Sequence, residues 1–189
     1  MIEPNQSLKE LQRVKKVSDL LCTGHAMKAD ELSRLALGLD LSLLTVSAWL
    51  VAVSFLDERL ATRLTPFDIN PQLWTGLLGF AAFILSLIQL RVDWKGQADA
   101  HRRSCDLYAE VKRDIGYLLA NGDLADDDIR RSFTKYDMAS ASSVPISEKD
   151  FLRIKRGHHL KLEVSRLIDA KPSASIILLK IRLWIRDNK

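Results

Sequence analysis

Residues 35–56 read LALGLDLSLLTVSAWLVAVSFL, and residues 73–90 read LWTGLLGFAAFILSLIQL. The first stretch carries Asp40 as its only charge, and the second carries none. At 1.5 Å per residue they make helices of about 33 and 27 Å, to be matched to a hydrocarbon core of about 30 Å. A bilayer adjusts locally to a span that is slightly short. The segment between them, DERLATRLTPFDIN, is polar and broken near Pro66 and Pro71. The pattern predicts a transmembrane hairpin. Two core helices of a soluble bundle would keep a charged stripe, which neither stretch has. Residues 1–34 are charged throughout and contain no apolar h-region, so they do not read as a signal peptide.

Composition agrees with a helical chain of one domain. The 189 residues hold 28 Lys or Arg against 24 Asp or Glu, with 47% hydrophobic and 28% charged residues, which excludes wholesale disorder and low-complexity protein. Eight glycines and five prolines leave room for long uninterrupted helices. Two cysteines, Cys22 and Cys105, are too few for a disulfide scaffold.

Lys and Arg near the span ends set the orientation. Lys15, Lys16, Lys28 and Arg34 precede the first span, and Arg91, Lys95, Arg102 and Arg103 follow the second, while the connecting loop offers only Arg59 and Arg63. Both termini are therefore expected in the cytoplasm, where both thiols stay reduced and no disulfide forms.

Outside the spans the pattern is helical. Leu8, Leu11, Val14, Val17, Leu20 and Leu21 mark an amphipathic helix within residues 7–34, with Gly24 a point of interruption. After the second span, Trp94, Ala98, His101, Cys105, Tyr108, Val111, Ile115 and Leu118 recur three and four apart. This is a coiled-coil-like stripe of about four heptads, which marks a stalk capable of self-association. Asn121-Gly122 ends it. The second span and this stalk read as one rod from residue 72 to 120. A short helix is expected over residues 124–136, a linker over 137–144, and a further helix from Glu148 with Ser147 and Asp150 as a weak capping box. Phe151, Ile154, His158, Leu162, Ser165 and Ile168 mark its apolar face. Residues 173–188 fit a helix or a strand. The expected class is thus an all-α membrane protein: an N-terminal amphipathic region (1–34), a transmembrane hairpin (35–92), a cytoplasmic stalk continuing the second span (93–122) and a basic helical C-terminal region (123–189).

The chemistry is sparse. No phosphate loop, nucleophile elbow, zinc-protease motif or Cys-x-x-Cys pair occurs, so no catalytic residue, cofactor or metal is assigned. Asp126, Asp127 and Asp128 suit a helix N-terminus better than a metal. Cys22 and His25 with His158 and His159 have ligand-like spacing, but an isolated thiol and exposed histidines explain them without zinc. The spans say more. Thr75, Gly79, Ala82, Ser86 and Gln89 fall on one face of the second, and Asp40, Ser47 and Ser54 align every seven residues on the first. Small residues let membrane helices approach, and polar ones face protein or water. The two stripes either pack the hairpin or an oligomer, or line a water-filled pore. Residues 153–189 hold ten Lys or Arg against Glu163, Asp169 and Asp187. Within them, Arg153, Lys155, Arg156, Lys161 and Arg166 can contact anionic lipid, a protein partner or a nucleic-acid backbone.

The order of elements resembles the SLATT family of two-transmembrane proteins. It has a charged N-terminal helix, a two-span hairpin, a long helix with Trp94, Ala98, His101 and Tyr108, then Pro145-Ile146-Ser147-Glu148-Lys149-Asp150-Phe151 and a helix from His158 to Ile168. The resemblance implies an antiphage effector of the bacterial inner membrane that permeabilises it on activation. It also implies partners: a nucleotide-second-messenger synthase, or a reverse transcriptase with a noncoding RNA. The alternative is a membrane-anchored scaffold that binds such a partner without forming a pore.

Overall fold

The computed structural model describes residues 4–122 and 125–188. Among them every regular element is a helix: α1 (Pro4–Phe55), α2 (Glu58–Leu64), α3 (Pro71–Val92), α4 (Trp94–Asn121), α5 (Asp126–Ser142), α6 (Glu148–Ala170) and α7 (Ile176–Asp187), with one 3-10 turn at Pro66–Asp68. The undecided segment after residue 173 is thus helical. Both apolar stretches lie in helices long and apolar enough to cross a membrane, and only 11% and 6% of their most apolar windows are buried within the chain. Core helices of a soluble bundle would be mostly covered.

The chain divides into two compact units, residues 29–99 and residues up to 28 together with those from 100 onward. In the first, the end of α1 and α3 form an antiparallel pair. Trp49 and Trp74 meet edge-on, 5.4 Å between ring centres. Asn70 caps α3 by accepting from the Gln72 amide, with Pro71 in the first turn, a position that needs no N–H. The expected rod from 72 to 120 is broken. Asp93 takes a left-handed conformation (φ 44°) between α3 and α4, which Asp tolerates better than most side chains. Its carboxylate accepts from the Gly96 amide, so it also caps α4. A Cβ at Gly96 would collide with that carboxylate.

In the other unit, α1, α4 and α5 close around Leu11, Val14, Tyr108, Val111, Ile115 and Ala139, with Phe133 and Tyr136 against them. Lys112 holds Asp19 at 2.6 Å across α4 and α1, and Lys135 of α5 reaches Glu110 at 2.9 Å and also Asp114. Tyr108, Val111 and Ile115 of the stalk stripe therefore pack within their own chain, while Leu118 is half-buried. Gly24 does not interrupt α1. It lets α6 approach, since a Cβ there would stand 2.7 Å from Ile154 Cγ2. The linker expected at 137–144 is largely helix, because α5 continues to Ser142 to put Ala139 in the core. Ser147 does cap α6, its hydroxyl oxygen accepting from the Asp150 amide. On α6 the packed side is Ile154, His158 and Val164, while Leu162 and Ser165 are exposed. Leu124 of the expected short helix lies outside the described residues.

Candidate functional sites: a carboxylate in the hairpin and a thiol–imidazole seam

Asp40 is the one charge in the first span, and it is not left alone. Its Oδ1 accepts from Gln89 Nε2 at 2.9 Å, and its Oδ2 lies 2.7 Å from Lys95 Nζ. In a continuous helix, residues six apart point about 120° away from each other. The break at Asp93 is what lets Gln89 of α3 and Lys95 of α4 meet one carboxylate. The three polar side chains share a cavity of about 200 Å3 with Ala36, Leu39, Val92, Asp93 and Trp94. A carboxylate in a span needs a partner, and here it has both a counter-charge and an amide donor.

The remaining stripe residues divide. Ser47, Thr75, Gly79 and Ala82 are half-buried, and Leu78 and Val53 on the same two helices are covered. Ser54 and Ser86 are exposed, and each hydroxyl donates to its own helix, to Leu50 O at 2.7 Å and Ala82 O at 2.9 Å. Thr75 does likewise to Pro71 O. The structure thus brings Asp40 and Gln89 together across the hairpin, and leaves Ser54 and Ser86 exposed. Of the stalk residues in this unit, Ala98 is buried and Trp94 half-buried.

The second cluster was not legible as a cluster in the sequence. Where α1 and α4 cross, Cys22 and Cys105 lie Sγ to Sγ at 2.8 Å, and His25 and His101 lie Nδ1 to Nδ1 at 2.9 Å. One imidazole donates and the other accepts, so the two rings are opposite neutral tautomers. His25 also stacks on Tyr108, 5.7 Å between centres. The Tyr108 hydroxyl pairs with Ser143 Oγ, and Ser104 Oγ accepts from the Val144 amide. The signal that could have found it is a like-with-like match, Cys and His three apart on α1, His and Cys four apart on α4, read antiparallel.

Burial sets the chemistry of this seam. Burial first, and then His101, lower the His25 pKa from 6.5 to about 4. His101 is lowered too, by burial and then by Lys28, with Asp150 acting against them. The Cys105 thiol is pushed up to about 12, by burial and by the bond to Cys22. The Cys105 thiol, held protonated, is a poor nucleophile, and the two imidazoles are bonded to each other in the interior, so the seam holds helices together. No group of three metal-binding side chains occurs among the described residues. His158 sits apart, with Nε2 3.9 Å from Asp19 and a buried, unpartnered Nδ1; burial lowers its pKa, and Asp19 opposes that.

On α6, Arg153, Lys155, Arg156, Lys161 and Arg166 are all exposed, Arg153 lying 3.2 Å from Asp150 and Arg166 3.7 Å from Glu163. Lys28 pairs with Asp150 at 2.9 Å and, with the Ser147 hydroxyl, holds that carboxyl below its usual range. Comparison with protein-family models, curated proteins and solved structures finds no match for this chain.

Proposed function

We propose that this chain is a non-enzymatic membrane effector of the bacterial inner membrane with both termini in the cytoplasm. On a signal from a partner its hairpins associate or rearrange and permeabilise the bilayer. The observation that carries this reading is the Asp40–Gln89–Lys95 network at one end of an otherwise apolar hairpin. It is a polar latch that a rearrangement of α1 against α3 and α4 would open, releasing a carboxylate, an amide and an ammonium to water or to neighbouring copies. The exposed Ser54 and Ser86 supply small polar contacts between hairpins. The resemblance to the SLATT proteins supplies the biological setting: arrest or death of an infected cell, triggered by a nucleotide-second-messenger synthase or a reverse transcriptase with its RNA.

Replacing Ser86 by Leu, with Gln89 and the Asp40 latch left intact, tests it. Growth arrest on co-expression with the genomic neighbours is expected to disappear while protein remains at normal level in the membrane. Undiminished arrest would contradict the role given to this face.

The exposed basic face of α6 favours a second reading, a membrane-anchored scaffold. There, charge reversal at Arg153, Lys155 and Arg156 releases the partner or its nucleic acid, and vesicles carrying the wild-type protein stay sealed.

A further inference from the structure

The last helix has two apolar faces where a surface helix needs one. Leu179 and Leu183 are buried, their side of α7 turned inward. At 100° per residue, Trp184, Ile177, Ile181, Ile185 and Leu178 fall within an arc of about 120° centred on the opposite side. All five are exposed, Ile177 at 70% and Trp184 at 59%. On the same projection Lys180 borders one edge of this arc, and Arg182 and then Arg186 the other. Lys180 and Arg186 also line, with Arg156 of α6, a groove of about 680 Å3 beside Trp184. Arg186 is held by Asp187 at 2.8 Å, while Lys180 and Arg182 stand exposed.

We propose that the outer face of α7 lies in the headgroup boundary of an anionic bilayer. Charge complementarity chooses this occupant. An apolar arc with Trp on it and basic side chains along both borders is the pattern of a helix lying in the interface plane, where apolar groups enter the acyl boundary and Lys and Arg reach back to phosphates. A protein groove of matching shape would leave those bordering cations unanswered unless it were acidic. This role does not depend on whether the hairpin opens, and it belongs to a part of the chain separate from the span stripes.

The test uses the full-length protein in lipid nanodiscs of phosphatidylcholine alone or with one-third phosphatidylglycerol. The contribution of Trp184 is isolated as the difference between the wild type and Trp184→Phe, and its quenching by acrylamide is measured. The expected result is shielded, blue-shifted Trp184 emission only with the anionic lipid. Reversing Lys180 and Arg182 to Glu should weaken the shielded state by roughly fivefold or more per residue. Ile181→Gln, on the exposed face, should leave helicity and melting unchanged and lose the shielding. Emission open to acrylamide in both lipids, equal shielding in both, or shielding that follows the number of copies per disc would each overturn the proposal, the last by making a second copy the occupant.

Discussion

A carboxylate in an apolar span is tolerated because of the particular side chains that meet it. Asp40 has Lys95 and Gln89, so removing one partner differs from removing both. Lys95→Ala is expected to lower hairpin stability in detergent by about 1 kcal/mol, since membrane polar pairs measure near that size. The double variant Asp40→Leu with Lys95→Ala should recover most of that loss. Additive losses would show that the pair is incidental. A second residue-scale prediction concerns His25, whose pKa is about 4 when folded against 6.5 when free. The unfolded chain then binds more protons in that interval, so stability rises with pH between these values and is lost as pH falls from 6.5 toward 4. The effect is on the order of 3 kcal/mol if His25 acts alone. His25→Asn should flatten the dependence of melting temperature on pH between 4 and 6.5. An unchanged slope would assign the dependence to other groups.

Among the elements, α1 and α6 approach closely at Gly24. Gly24→Ala places a methyl 2.7 Å from Ile154 Cγ2 and should cost about 1–3 kcal/mol through overpacking. In an Ile154→Ala background the same change should cost little, because the obstructing methyl is gone. Equal cost in both backgrounds, read from chemical denaturation, would contradict the contact. Elements of this kind divide the legible from the illegible. The two apolar helices could be read directly, since uninterrupted apolar runs need no knowledge of neighbours. The Ser147 cap is equally local. What failed were judgements that depend on tertiary contact. Ala139 and its Ser-rich surroundings look like a linker until Tyr108 is found beside them in the core. Gly24 looks like a break until Ile154 fills the space. Asp93 carries no mark of its left-handed turn, which shows only once Gln89 and Lys95 converge on Asp40. The Cys22–Cys105 and His25–His101 pairs require the register between α1 and α4, and periodicity along either helix is blind to it.

At the scale of the whole molecule, charge and apolarity are partitioned. The chain carries a net charge of +4, yet ten of its 28 basic residues fall within residues 153–189 against three acidic ones. The apolar surface is concentrated on the hairpin, with a further exposed patch on α7. A chain built this way has two helices long and apolar enough to cross a membrane and an exposed basic helix face. The Asp40–Gln89–Lys95 network joining the two apolar helices is the feature on which the proposed permeabilisation, a change of arrangement rather than of a substrate, rests. The most direct test is membrane potential, followed with a potential-sensitive dye in bacteria expressing the protein with and without its genomic neighbours. Rapid depolarisation that requires an activated neighbour is the predicted result. A potential that stays intact while the protein co-purifies with a polymerase or its nucleic acid would contradict the effector and leave the scaffold.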